Sequence, residues 1–291
     1  MTAAPGPLQR WVLAARPRTL PAATVPVVVG VTLIRPETIN WGNSALCLVV
    51  ALAMQIGTNY ANDYSDGVRG TDEVRVGPFR LTASRLVAAK TVRNAAWSWF
   101  FLACVAGLWL ATRTTWWLIL IGVTAVAAGW FYTGGPRPYG YYGFGELFVF
   151  VYFGMVATVG TAYVQHLTIP TRAWWLGAAT GFMAVALLEA NNLRDVQGDR
   201  SAGKKTLAAR MDRQHAPWLY GACIAGVLVA MSGAGHVVVG IVALLVYVPA
   251  VRLAFSDKNG RDLLPLLKYS ARAQLQIGAL VALLLIIRVG V

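Results

Sequence analysis

Hydrophobic positions along the chain run in long blocks separated by shorter polar stretches. Nine blocks approach the roughly 20 apolar residues that a membrane-crossing helix needs. They fall at about 19–34, 43–62, 90–112, 115–133, 144–165, 173–192, 216–233, 236–254 and 272–289. No water reaches the hydrocarbon core to satisfy a free backbone, so blocks of this kind predict helices. The connections at 113–115 and 234–236 are very short and predict antiparallel hairpins. Those at 63–89 and 193–215 are long and carry most of the polar motifs. No low-complexity linker divides the chain. The expectation is an all-α, polytopic membrane helical bundle, with residues 1–291 forming one domain.

Composition agrees. Of the 291 residues, 57% are hydrophobic and only 13% charged, against about 25% charged in a soluble domain. The N-terminus lacks a short apolar stretch with a cleavage site, so its first apolar block predicts a permanent span. Cys47, Cys104 and Cys223 all lie in apolar blocks without metal-ligand spacing, which predicts neither a disulfide framework nor a cysteine metal site.

The net charge of +13 changes meaning once it is mapped. With the N-terminus placed inside, 21 of the 25 Lys and Arg residues fall in inside segments, as the positive-inside rule requires. The surplus then reflects topology and contact with anionic lipid. No basic stripe with interleaved aromatics points to nucleic acid. The resulting expectation is a multi-pass protein of the cell membrane, its N-terminus and polar motifs on the cytoplasmic side. The sequence leaves the oligomeric state open.

The candidate chemistry sits at two block ends. Asn59, Asn62, Asp63 and Asp66 follow i, i+3, i+4, i+7 spacing, which predicts one helical face. Asn192, Asp195 and Asp199 follow i, i+3, i+7. Both stripes end even-numbered blocks on the same side, a weak echo of two related halves. Stacked carboxylates repel unless a proton or cation neutralises them. Mg²⁺ suits oxygen donors and commonly shares one or two carboxylates with substrate phosphates. Arg69, Arg194, Lys204 and Lys205 beside the stripes suit the remaining charge of a metal-bound diphosphate. The alternative is a set of ordinary charged residues at a membrane edge. The segment Tyr132-Thr133-Gly134-Gly135-Pro136-Arg137-Pro138-Tyr139-Gly140 predicts an irregular turn on the same side. Arg137 either clamps phosphates there or is an interfacial anchor beside tyrosines. Glu146 and Glu189 lie near or inside spans; Glu189 either lines a cavity or is held protonated in a helix contact.

At these residues the chain resembles the UbiA superfamily of intramembrane prenyltransferases, and within it the branch that prenylates 1,4-dihydroxy-2-naphthoate in menaquinone synthesis. The words that carry the resemblance are Arg16-Pro17-Arg18-Thr19-Leu20-Pro21, Asn62-Asp63-Tyr64-Ser65-Asp66 through Gly70-Thr71-Asp72, and Gly77-Pro78-x-Arg80-Leu81. Further on they are Arg137-Pro138-Tyr139-Gly140-Tyr141 with Gly145-Glu146, and Asn191-Asn192-Leu193-Arg194-Asp195 through Asp199, Gly203-Lys204 and Thr206-Leu207. The last third matches only as hydrophobic helices. Many superfamily members carry Tyr-x-x-x-Lys after the fourth span. Here Tyr132 is followed at that distance by Pro136, with Arg137 next.

The resemblance implies Mg²⁺ on Asp63, Asp66, Asp195 and Asp199, binding an allylic diphosphate. It implies catalytic roles for Asp66, Asp195, Arg137 and Lys205. Substrate binding would fall to Asn59, Asn62, Arg69, Tyr132, Tyr139, Asn192, Arg194 and Lys204, and Tyr60, Tyr64 and Tyr132 would stand near an allylic cation. The implied reaction transfers a polyprenyl group to the aromatic acid with loss of CO2 and diphosphate. The same chemistry on 4-hydroxybenzoate or homogentisate remains open. A transporter is the other class; against it, the charged clusters sit at one face and few charges lie mid-span, where transporter sites are commonly found.

Overall fold

A computed structural model of the chain describes residues 5–71, 77 and 79–289, and every regular element among them is helical. Six helices are long and apolar enough to cross a membrane: α3 (Trp41–Val68), α4 (Ala89–Arg113), α6 (Gly145–His166), α7 (Thr171–Ser201), α10 (Val237–Ala254) and the last, α11 (Leu264–Val289). Three shorter apolar helices take up the other predicted blocks: α2 (Pro21–Thr32), α5 (Trp117–Phe131) and α9 (Pro217–Gly233). Two short helices, α1 (Pro7–Ala14) and α8 (Leu207–Arg210), lie outside the predicted spans.

Local chemistry sets several starts. α2 and α9 open with proline in the first turn, where its missing N–H removes a donor that would be unsatisfied anyway. Asn40 caps α3, its side chain accepting the Asn43 N–H at 3.0 Å.

Predicted and observed ends differ most where the motifs lie. α3 continues to Val68 and α7 to Ser201, past the points at which hydrophobicity stops. Both polar stripes therefore lie on helix rather than in connections. α11 also begins before the predicted 272, because Leu266 and Leu267 are buried in the core ahead of the polar Lys268.

The main core is built by α2, α7, α9, α10 and α11, with α7 running through its middle. α3 and α4 pack along each other around a second core that includes Tyr60, Leu81 and Phe100. α6 crosses α7 closely at Gly154, where an added Cβ would sit 2.3 Å from Gly181 Cα. The same stretch of α6, Phe150–Val156, is wound as a π-helix, a widening that recurs near functional sites. α5, one of the shorter apolar helices, is sparsely enclosed. It rests on α3 and α4 and buries only Ala128 and Gly129.

Candidate active site

α3 presents Asn59, Asn62 and Asp66 to a cavity of ≈ 1020 Å³. α7 presents Asn191, Asn192, Asp195 and Asp199 to the same cavity, and the turn after it adds Lys204 and Thr206. The two Asn/Asp stripes thus converge at one end of one space. The helical spacing holds, and both stripes face the same cavity.

Asp66 is the hub of this polar end. Tyr141 donates its hydroxyl to Asp66 Oδ1 at 2.7 Å. Lys204 Nζ lies 3.3 Å from Asp66 Oδ2, and Arg80 Nη2 lies 3.6 Å from the same oxygen. The ammonium of Lys204 also stands 4.7 Å from the centre of the Tyr141 ring, a cation–π distance. Burial, and then the charge of Asp66, push the Tyr141 phenol well above its usual pKa. It therefore remains a hydroxyl donor at physiological pH.

Asp63, expected as a metal ligand, does not face the cavity. Its two oxygens accept the backbone N–H groups of Leu81 at 2.8 Å and Thr82 at 2.9 Å. Asp63 and Asp66, three positions apart on α3, thus serve different ends: Asp63 fastens the 79–86 loop to α3, and that loop carries Arg80 to Asp66. Asp72 and Pro78, which belong to the same sequence words, lie outside the described residues.

Four further expectations are corrected for the cations. Arg137 is exposed and does not line the cavity, because the turn around Pro136 directs it outward. Lys205 is exposed, and what it contributes inward is a backbone N–H to the Tyr141 carbonyl at 2.7 Å. Arg69 is exposed and bonds the Thr133 and Gly135 carbonyls, so it ties the 133–141 segment to the end of α3. Arg194 is buried, with Nε and Nη2 each 2.7 Å from an oxygen of Asp195, and it lines a different pocket.

The amides divide their work. Asn59 lines the cavity, but its Nδ2 donates to the Ala15 carbonyl at 2.9 Å and to Thr19 Oγ1 at 3.2 Å, holding the entry to α2. Asn62 Oδ1 accepts the Thr133 hydroxyl at 2.8 Å. Asn192 Nδ2 donates to Glu146 Oε1 at 3.0 Å and Glu189 Oε1 at 3.2 Å. Glu189 is fully buried and is absent from the cavity wall, so it belongs to this helix contact.

Tyr132 and Tyr139 line the cavity as expected and meet edge to face at 5.5 Å. Their turn needs Gly140, where a Cβ would lie 2.6 Å from the Tyr132 carbonyl oxygen. Tyr60 and Tyr64 do not reach the cavity. Tyr60 donates to the Trp11 carbonyl at 3.0 Å, and Tyr64 stacks on Trp130 at 6.1 Å.

Three cavity residues were missed as site residues by spacing: Arg80, Tyr141 and Arg16. Each lies within a word that carries the family resemblance, which was the only signal for it. Arg16 joins α1 to α2 with φ 55°, a left-handed conformation that is strained for a side chain of this size. Its Nη2 is buried without a partner among the described residues.

Whether Mg²⁺ suits these residues depends on the donors. Among the described residues no three His, Cys, Asp or Glu side chains converge on one point. The donors that face the cavity are oxygens, from Asp66, Asp195 and Asp199 with the amides of Asn62 and Asn192. That set fits a hard cation that completes its shell with substrate phosphates. The carboxylates of Asp66 and Asp195 are here held by Lys204, Arg80 and Arg194, so a diphosphate that drew the first two cations to itself would free oxygen for a metal.

The profile of the UbiA prenyltransferase family matches residues 23–267. The chain belongs to that family. It is 46% identical over 275 residues to the 1,4-dihydroxy-2-naphthoate octaprenyltransferase of Mycobacterium tuberculosis, covering 91% of this chain and 93% of the relative. The Mycobacterium leprae protein of the same name is also 46% identical, over 89% of this chain and 90% of its own. That of Escherichia coli is 33% identical over 77% of this chain and 75% of its own. Among solved structures, this UbiA-family chain shares its fold with a UbiA homolog from Aeropyrum pernix K1 (TM-score 0.68, 15% identity, 92% of this chain and 96% of that one). The UbiA homolog from Archaeoglobus fulgidus bound to DMAPP and Mg²⁺ has a TM-score of 0.65 at 14% identity, with 95% and 99% covered.

Proposed function

We propose that this chain transfers a polyprenyl group from an allylic diphosphate to 1,4-dihydroxy-2-naphthoate, in a Mg²⁺-dependent reaction that releases CO2 and diphosphate and gives demethylmenaquinol. The observation that carries the reading is the shape of the cavity. One end gathers Asp66, Asp195, Asp199, Lys204 and Arg80; the rest is apolar and runs past Tyr139 and Phe148 to Trp117 and Trp174. Such a space accepts an anionic head and a long hydrocarbon tail together. Its volume is at or above the upper end of ordinary ligand pockets, roughly 300–1,000 Å³.

The tail would leave sideways past α5. Trp117, Ile119, Ile121 and Val123 of α5 line the cavity and are exposed, which supports this route. The acceptor is supported by the names of the relatives at 46% identity, not by geometry.

In this reading Asp66, Asp195 and Asp199, with Asn62 and Asn192, hold Mg²⁺. The bound ion would neutralise diphosphate charge and favour its departure. Lys204 and Arg80 turn from Asp66 to the diphosphate oxygens and stabilise the charge that grows there as the allylic C–O bond breaks. Tyr141 donates to whichever oxygen replaces Asp66 Oδ1. Tyr132 and Tyr139 offer π-faces to the allylic carbon next to the polar end, and the surrounding apolar wall keeps water away. The ring carbon that bears the carboxylate forms the new C–C bond. The carboxylate then leaves as CO2, and its bonding electrons restore the aromatic ring. In this reading the polar end lies on the cytoplasmic side of the cell membrane, a side supported by the distribution of Lys and Arg.

The test uses the full chain in detergent with Mg²⁺, a polyprenyl diphosphate and, in parallel, 1,4-dihydroxy-2-naphthoate, 4-hydroxybenzoate and homogentisate. Prenylated naphthol in the first arm alone is the expected result. No product in any arm, from protein shown to be folded, removes the proposal; product only from another acid moves it to that acceptor.

A further inference from the structure

Behind the active site, on the other side of α7, is a second pocket of ≈ 150 Å³. Its lining includes Arg194, Arg200, Arg213, Gln197 and Asn259, and shares no residue with the main cavity. Three guanidinium groups around one small space repel one another unless something neutralises them.

Among the described residues, the partners of the three are neutral, with one exception. Arg200 donates from Nε to the Ala209 carbonyl at 2.9 Å and from Nη2 to the Met211 carbonyl at 2.7 Å. Arg213 donates from Nε to Asn259 Oδ1 at 2.8 Å, and from Nη2 to the carbonyls of Ser256 and Lys258. These bonds fix both side chains in place and cancel no charge. The nearby Asp212 side chain is 90% exposed and is directed to His215. The exception is Arg194, whose side chain is fully buried and paired with Asp195. Even there, Nη1 is buried with no acceptor among the described residues. An unmatched guanidinium nitrogen of this kind is costly to bury.

We propose that this pocket binds a phosphate-type oxyanion. The ligand would accept from Arg194 Nη1 at the buried end and meet the charges of Arg200 and Arg213 toward the aqueous face. Arg194 then has two anions to serve, the ligand and Asp195. Because Asp195 lies on the cavity side of α7, filling the pocket loosens the Arg194 hold on that carboxylate. Resting on the reading of Asp195 as a metal-binding residue, occupancy lowers the Mg²⁺ concentration needed for turnover. A phosphate group reaches this face from two sources, free phosphate in the cytoplasm and the headgroup of an anionic lipid.

Binding is tested first without metal or turnover, by thermal melting of the full chain in detergent with EDTA and inorganic phosphate. Phosphate is expected to raise the melting temperature of wild type and of Lys204→Met, whose change lies in the main cavity, and to do so far less for Arg213→Gln and Arg200→Gln. Equal stabilisation of wild type and both glutamine variants, or none in any of them, overturns the site. Nanodiscs of phosphatidylglycerol and of phosphatidylcholine assign the source. A rise specific to phosphatidylglycerol and lost in Arg213→Gln identifies lipid, whereas a rise with free phosphate alone identifies the soluble anion. The half-saturating Mg²⁺ concentration is then measured with the pocket filled and empty. It is expected to fall at least about fivefold on filling, a typical lower size for coupling between sites, and not to move in Arg213→Gln. A binding shift with no change in Mg²⁺ dependence keeps the site and removes its link to Asp195.

Discussion

The Lys204 ammonium lies 3.3 Å from Asp66 Oδ2, so the turn after α7 reaches back to the acidic end of α3. A cation that waits on a carboxylate is already placed for an anionic substrate. Lys204→Met is expected to lower kcat/KM for the prenyl diphosphate by about 10–100-fold, the scale of one charge-assisted hydrogen bond. Steady-state kinetics over a donor concentration series measure it. Unchanged kinetics would place the diphosphate elsewhere.

Asp63 and Asp66 separate by role. Asp66→Asn is expected to abolish turnover and leave the melting temperature near that of wild type. Asp63→Ala removes two backbone hydrogen bonds to a buried carboxylate and is expected to cost about 2–4 kcal/mol of stability. Its activity falls because Arg80 loses its placement. Thermal melts run beside assays separate the two; a stable but inactive Asp63→Ala would return that residue to the metal site.

The arginines make a similar pair. Arg80→Ala should lose at least about tenfold in kcat/KM, since it removes a guanidinium that faces Asp66 within the cavity. Arg137→Ala should stay within about 0.5 kcal/mol of wild type in stability, as exposed substitutions do, and retain wild-type rates. Equal losses in both variants contradict the arrangement described for the 133–141 turn.

Gly154 is where α6 and α7 touch backbone to backbone. Gly154→Ala should destabilise by about 1–3 kcal/mol through overpacking, and α7, with its Asn192 and Asp195, should shift with the contact. Melting and kinetics on the same preparation report both effects.

Orientation has its own check. A reporter fused after Lys205 is expected to read as cytoplasmic, because inside segments then hold most Lys and Arg. An outside signal would put the polar end of the cavity on the opposite face.

Hydropathy blocks made the helices legible, since lipid demands them. They did not show where α3 and α7 end, because a helix can run on through Asp and Asn residues that face a shared cavity. Spacing put Asn62, Asp66, Asn192, Asp195 and Asp199 on the cavity side. It could not tell Asp63 from Asp66. Both lie on the same broad face, and the choice between them is made by Leu81 and Thr82, which arrive from a loop. The same limit explains the cations. Arg137 was the only charge in its turn and drew attention for that reason, but the path of the chain around Pro136 sends it outward. Arg80 and Tyr141 come from loops whose course no periodicity encodes. Family resemblance named the words around them without saying which letters matter.

The flank along α5, where Trp117, Ile119, Ile121 and Val123 line the cavity and are exposed, would give the cavity no floor if, as proposed, a prenyl tail leaves there. A vessel without a floor cannot measure how much it holds. It gauges the head of the donor and lets the rest trail into the surrounding oil. Under the proposed function, selection for a particular number of isoprene units would then lie upstream, with the machinery that builds the donor.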